Sequence, residues 1–171
     1  MSLHEHLRFV LALVSDWLKF AEAKNLAAVA FAGAAIGLYI RGVDIVSLPF
    51  AVKLLVSVGI AGLTLAGLCA LVSFIPTIKI PLLYSQRAPQ ESDNLIYYGD
   101  LANYQPSEFL TRTEAMLGLQ QHEALDEYYA QQIIVNARIA LRKYKIFSLA
   151  CWSGLTGLIF LGVGAIVRLL G

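Results

Sequence analysis

The stretch Gln131–Arg168 constrains this chain more than any other. It starts as a polar-faced segment, QQIIVNARIALRKYK, and continues without Pro or Gly into IFSLACWSGLTGLIFLGVGAIV. Ala130, Ile133, Ala137, Ala140, Tyr144 and Phe147 recur at alternating steps of three and four, which predicts a helix with a seam for a partner helix. After Lys145 no charge appears until Arg168, the ~20 residues a helix needs to cross a bilayer's hydrocarbon. Arg142, Lys143 and Lys145 stand where that crossing would begin. The spacing therefore predicts one rod, water-facing at one end and lipid-facing at the other.

The rest of the chain needs lipid as well. Of its 171 residues 58% are hydrophobic, more than an ordinary soluble domain uses. The near-neutral charge of +1 gives no basic face of the kind that binds a nucleic-acid polymer. Cys69 and Cys151 both lie in apolar runs without metal-site spacing and read as packing residues. The apolar core of the N-terminus, Phe9–Val14, is too short for a signal peptide, Asp16 interrupts it and no small-residue cleavage site follows, so this segment is expected to be retained.

Residues 1–25 form an amphipathic segment. Leu3, Leu7, Val10, Val14, Trp17 and Ala21 make an apolar stripe that Leu11 and Leu18 widen, opposite Glu5, Arg8, Asp16 and Lys19. A helix lying in the headgroup layer would carry mostly basic residues on its polar face. The mixture of signs here favours a bundle helix pairing with the Ala130–Tyr144 seam. A first span follows over 26–40, reaching length by borrowing Phe20–Asn25 with Lys24 snorkelling. Its Ala-rich composition and Gly33-x-x-x-Gly37 predict an interior, close-packing helix. Arg41–Pro49 is a turn. The second span is 51–75, with small residues at Gly59, Gly62, Ala66 and Gly67, and the third is 146–170, where Ser153-x-x-x-Gly157 offers a second close-contact face.

Three crossings place the N-terminal helix and the insert 76–143 on one side. That side carries ten of the thirteen basic residues: Arg8, Lys19, Lys24, Lys79, Arg87, Arg112, Arg138, Arg142, Lys143 and Lys145. Arg41, Lys53 and Arg168 lie opposite. By the positive-inside rule the polar side is cytoplasmic, so the N-terminus faces the cytoplasm and the C-terminus the periplasm. The expected fold is an all-α membrane protein: three transmembrane helices and a mainly helical cytoplasmic cap, formed by the N-terminal helix and the insert between spans two and three.

Within the insert, Pro76–Pro81 reads as extended and Gln86–Asp93 as a polar loop. Pro106-Ser107 reads as a helix start, Thr111-x-x-Glu114 as a capping box within it or at a second start, and Gly118 as its end. From about Leu119 the long helix returns toward the membrane.

No nucleophile elbow, P-loop, metal-helix motif or dinucleotide signature is present. His4, His6 and His122 read as solvated, and Asp93, Asp100, Glu108 and Glu114 fit no particular acid–base reaction, so no enzyme and no metal site are expected. A ligand pocket in the insert is the more plausible chemistry. Tyr97, Tyr98 and Tyr104 offer faces on which a base can stack, and Arg112, Arg138, Arg142 and Lys143 can neutralise a phosphate. The same residues would also serve as core or subunit contacts and as headgroup contacts.

The runs NLIYYGDLA, IALRKYK before the last span and WLKFAEAKN before the first resemble the Pycsar transmembrane effectors of bacterial anti-phage defence, over most of the chain from about Asp16. The matching positions are Lys24, Asn25, Asn94, Tyr98, Gly99, Asp100, Arg142, Lys143 and Tyr144. The resemblance implies a bacterial inner-membrane effector that a cyclic nucleotide such as cUMP or cCMP, made by a cognate cyclase, switches on. Such an effector would then oligomerise or rearrange to impair the membrane. Combined with the residues above, it makes Asn94, Tyr97, Tyr98, Asp100, Arg112, Arg138, Arg142 and Lys143 the candidate nucleotide-binding set, with the bilayer and further copies of the chain as partners. The rivals from other classes are a constitutive adaptor whose cap docks a cytoplasmic partner, and a small channel subunit gated by something else. The latter is weakened by the lack of an ionisable residue deep in any span.

Overall fold

The computed structural model describes residues 2–75, 87–119 and 121–170. The extended segment expected at Pro76–Pro81, with Lys79 and Gln86, lies outside the described residues. Five helices and no strand occur among the described residues: α1 (Leu3–Gly42), α2 (Phe50–Val72), α3 (Tyr98–Leu101), α4 (Pro106–Leu117) and α5 (Ala124–Leu170). The chain divides into two compact units, one from residues 1–21 and 77–144, the other from 22–76 and 145–171. The first is polar on its surface and the second is largely apolar.

The amphipathic N-terminal segment and the first span are parts of one 40-residue helix. Ser2 and Glu5 start it with a capping box: the Glu5 carboxylate accepts the Ser2 N–H at 2.8 Å and the Ser2 hydroxyl accepts the Glu5 N–H at 3.2 Å. The long C-terminal helix starts at Ala124, later than the expected Leu119, because Gly118 and the polar residues after it separate it from α4. Glu123 precedes it, and its N–H is held by the Asp126 carboxylate at 3.1 Å.

In the polar unit the α1 stripe and the α5 seam meet as their spacing requires. Leu3, Leu7, Val10 and Val14 share a core with Ala130, Ile133, Ile134, Ala137 and Ala140. His4 meets Asp126, Ser15 meets Asn136, and Trp17 meets Tyr144. These pairs advance together along both helices, so the two segments run parallel. The small Ala residues of the seam let them approach, and the insert closes the open side with Leu95, Tyr98, Leu101, Tyr104, Phe109 and Leu110. Pro106 occupies the first turn of α4, where its missing N–H costs nothing. Gly118 ends α4 in the left-handed region at φ 68°, and the Leu119 N–H returns to the Glu114 carbonyl at 2.9 Å. Thr111 does not cap a helix: it lies within α4, its hydroxyl donating to the Ser107 carbonyl at 3.1 Å. Pro106 already starts the helix upstream, so no second start is needed.

In the apolar unit α2 runs antiparallel to the last third of α5, and the contact is made by small residues. A Cβ on Gly62 would stand 2.9 Å from the Gly157 Cα, and one on Gly59 would strike Leu161 at 2.7 Å. Ser153 and Gly157 thus make the close face expected of them. Gly33 and Gly37 do not: nothing lies within 4 Å of a Cβ built on either, and both are exposed. The interior position expected for that motif is therefore incorrect within one chain, because Gly59, Gly62 and Gly157 already supply the close approach and α1 turns its other face inward through Ala32, Ala35 and Ile36. The unit's remaining surface carries Phe31, Leu38, Leu54, Leu65, Trp152 and Ile159, all exposed, as lipid contact requires. Cys69 and Cys151 are free thiols.

Candidate functional site

The segment 87–104 is folded around two groupings, one aromatic and one charged. In NLIYYGDLA, Tyr97 precedes the single turn of α3 and Tyr98 opens it. Tyr98 is buried and stacks on Tyr144 of α5, with ring centroids 5.0 Å apart and planes 19° from parallel. Trp17 of α1 lies 5.5 Å from Tyr98 and Tyr97 4.7 Å from it. One tyrosine therefore ties the insert to both long helices through offset and tilted ring contacts. Burial pushes the Tyr98 phenol far above its ordinary value, so it stays neutral. A Cβ on Gly99 would meet the Tyr97 ring, so any larger residue there has to displace that exposed side chain.

The charged grouping is centred on Arg87. Its guanidinium donates to Asp93 at 3.1 Å and to Asp100 at 2.8 Å. Asp93 also accepts the Gln90 N–H at 2.9 Å and the Tyr104 hydroxyl at 3.2 Å, while Asp100 accepts the Asn94 N–H at 3.1 Å. The Arg87 guanidinium beside Asp93 holds that carboxyl below the usual carboxylate range. Arg112 of α4 donates to the Gln90 and Glu91 carbonyls and to the Tyr104 hydroxyl. Arg138 of α5 donates to the Ala102 carbonyl at 3.2 Å and to the Tyr104 carbonyl at 2.7 Å.

The candidate residues named from the sequence thus fall into distinct places. Tyr97 and Tyr98 belong to the aromatic cluster with Tyr144. Asn94, Asp100 and Arg112 belong to the charged network. Arg138 anchors the last residue of NLIYYGDLA and the backbone just after it. Arg142 is half-buried and Lys143 buried on the same unit's stretch of α5. Lys24 and Asn25 fall in the apolar unit, where the Lys24 ammonium lies 5.5 Å from the centre of the Phe147 ring and Asn25 is fully buried.

Three participants escaped the sequence reading. In the sequence Arg87 is one charge in a polar loop, and only the turn at 90–93 and the fold after it bring Asp93 and Asp100 to it. His122 is not simply solvated: its ring joins Glu114 of α4 at 2.6 Å to Glu127 of α5 at 3.3 Å, and Glu114 raises its pKa. His6 is buried at 5% exposure, and neither ring nitrogen has a hydrogen-bond partner among the described residues. Burial pushes its pKa down. Its register was visible, because Leu3, His6 and Val10 fall on one helix face.

His6 lines a cavity of about 420 Å³ in the polar unit, together with Glu91, Asp93, Asn94, Leu95, Ile96, Arg112 and Met116. That volume lies within the ~300–1,000 Å³ range of small-molecule sites. Among the described residues no group of three or more His, Cys, Asp or Glu is placed to hold a metal ion.

The family model described as "Pycsar effector protein domain" matches residues 6–169. The chain is also 33% identical over 159 residues to the Pycsar effector protein PtPycTM of Propioniciclava tarda, an overlap of 90% of this chain and 74% of that one. No solved structure matches it. The match reaches into each of the three helices that, among the described residues, are long and apolar enough to cross a membrane, and the chain therefore belongs to the Pycsar effector family, as a multi-pass membrane effector of anti-phage defence.

Proposed function

We propose that the polar unit is the sensor of this effector and the apolar unit its output. A cyclic pyrimidine nucleotide, cUMP or cCMP, binds the polar unit, and the spans then oligomerise or rearrange so that the inner membrane leaks. The observation that carries this reading is that both long helices serve both units. α1 contributes residues up to 21 to the polar unit and the remainder to the apolar one, and α5 divides in the same way at Tyr144. Side chains that border the insert and side chains of the spans are thus residues of the same two helices.

A ligand shifts such an equilibrium only by its difference in affinity between two arrangements. In this reading the nucleotide prefers one packing of the insert against the N-terminal half of α1 and residues 124–144 of α5. The protein acts by this preference and not by catalysis. The polar unit faces the cytoplasm, where a cognate cyclase releases its product; the ten-to-three distribution of basic residues supports that orientation.

The test is leakage from vesicles holding the purified protein, read with a membrane-potential dye. Saturating cUMP or cCMP collapses the potential in this reading. An unchanged potential, with binding verified by titration calorimetry, refutes the mechanism.

A further inference from the structure

We infer that the cavity beside His6 is where the polar unit receives the nucleobase, with the His6 imidazole reading the base edge; this rests on the cyclic-nucleotide reading above. Three observations lead there.

First, the charges around the cavity are already matched to other groups. Asp93 is held by Arg87, Tyr104 and the Gln90 N–H, and Arg112 is spent on the Gln90 and Glu91 carbonyls and Tyr104. The remaining charged residue of the lining, Glu91, is acidic. This lining repels a phosphate.

Second, His6 is 95% withdrawn from solvent and both of its nitrogens lack hydrogen-bond partners among the described residues. Buried polar atoms are ordinarily satisfied. An imidazole kept neutral by burial offers one N–H donor and one ring-nitrogen acceptor. The two point to opposite sides of the ring, so one of them meets a single donor or acceptor on the edge of a pyrimidine base.

Third, the rest of the lining suits a flat, weakly polar ring. Leu95, Ile96 and Met116 provide apolar contact, and the exposed Asn94 places a carboxamide at the rim. The Asn94 oxygen is committed to the Ile96 N–H at 3.0 Å, which leaves its amide nitrogen as the group that can donate to a ligand. The base enters the cavity and the cyclic phosphate stays outside it. Occupancy joins the first turns of α1 to the 91–96 loop and α4, three parts of the sensor that are distant in sequence.

The experiment is calorimetric titration of the full-length protein in detergent with cUMP and cCMP, for wild type, His6→Phe and Met116→Trp. Phe removes both nitrogens at nearly constant shape. Met116 is 55% exposed on α4, so Trp there fills the cavity without entering the core, and it carries the test should His6→Phe fail to fold. Affinity for the nucleotide that wild type binds falls at least tenfold in both variants. Wild-type binding with unchanged affinity in either folded variant overturns the cavity assignment and leaves the nucleotide reading standing. Absence of wild-type binding to both nucleotides overturns the two together. Histidine-labelled NMR gives a second readout: ligand shifts the His6 ring resonances and leaves those of His4 and His122 in place, and the reverse pattern overturns the assignment.

Discussion

Gly157 of α5 lies against Gly59 of α2 so closely that a Cβ on Gly157 would stand 2.7 Å from the Gly59 carbonyl oxygen and 2.8 Å from the Leu63 nitrogen. Those neighbours are backbone and cannot rotate aside. Gly157→Ala should force α2 and α5 apart and cost about 1–3 kcal/mol, the usual range for overpacking. Gly33→Ala, inside α1 with open space around it, should leave the single chain's melting unchanged or raise it slightly, since Gly is less favourable than Ala within a helix by about 0.5–1 kcal/mol. Thermal unfolding in detergent checks both, and equal losses for the two variants would contradict the packing.

Tyr98 separates the role of the ring from that of its hydroxyl. Tyr98→Ala removes the one ring that touches Trp17, Tyr97 and Tyr144, a loss of about 3–5 kcal/mol on the scale of large aromatic truncations. Tyr98→Phe keeps all three ring contacts and should retain most of the stability. Trp17 fluorescence, measured on a Trp152→Phe background because the chain has two tryptophans, should change in the Ala variant and barely in the Phe variant.

Arg87→Ala leaves the Asp93 side chain, only 3% exposed, without its ion-pair partner. Leaving a buried acceptor short of a donor costs about 1–3 kcal/mol. Hydrogen exchange should rise at Asn94 and Asn103 and in the turn between them, since Arg87 holds both Asp93 and Asp100. The Asp93 carboxyl is depressed in the folded state, so its contribution is present above the ordinary carboxylate range and disappears as the pH falls through the folded value. Arg87→Ala should weaken that acid dependence.

Two histidines should oppose one another in a pH series of melting temperatures. The folded pKa of His122 is raised by Glu114, so its bridge between α4 and α5 is fully present below about 6.5 and fades as the pH rises through the folded value. The folded pKa of His6 is lowered by burial, so stability drops as the pH falls from about 6.5 toward that value. His6→Phe should remove the acid-side loss, and His122→Ala the alkaline-side loss.

The helices, their polarity and the lipid requirement are legible in the sequence, since each follows from local spacing. Leu3, Leu7, Val10 and Val14 recur at helical steps, and so do Ala130, Ile133, Ala137 and Ala140; both sets are buried together. Gly118 ends α4 because few other residues adopt its left-handed backbone. A local pattern states which face must be hidden, but not what hides it. Gly33-x-x-x-Gly37 and Gly59, Gly62 and Gly157 look alike as small-residue patterns, and only the packing decided that the latter three touch within the chain. His6 and Arg87 show the same limit for charge. Whether a polar side chain is solvated, paired or enclosed depends on segments far away in sequence: Asp93 and Asp100 for Arg87, the 91–96 loop and α4 for His6. Sequence alone determined the helical membrane architecture, because burial and lipid contact act residue by residue along a helix. Tertiary structure alone decided which polar groups converge, because hydrogen bonds and enclosed space require atoms from separate segments to arrive at one place.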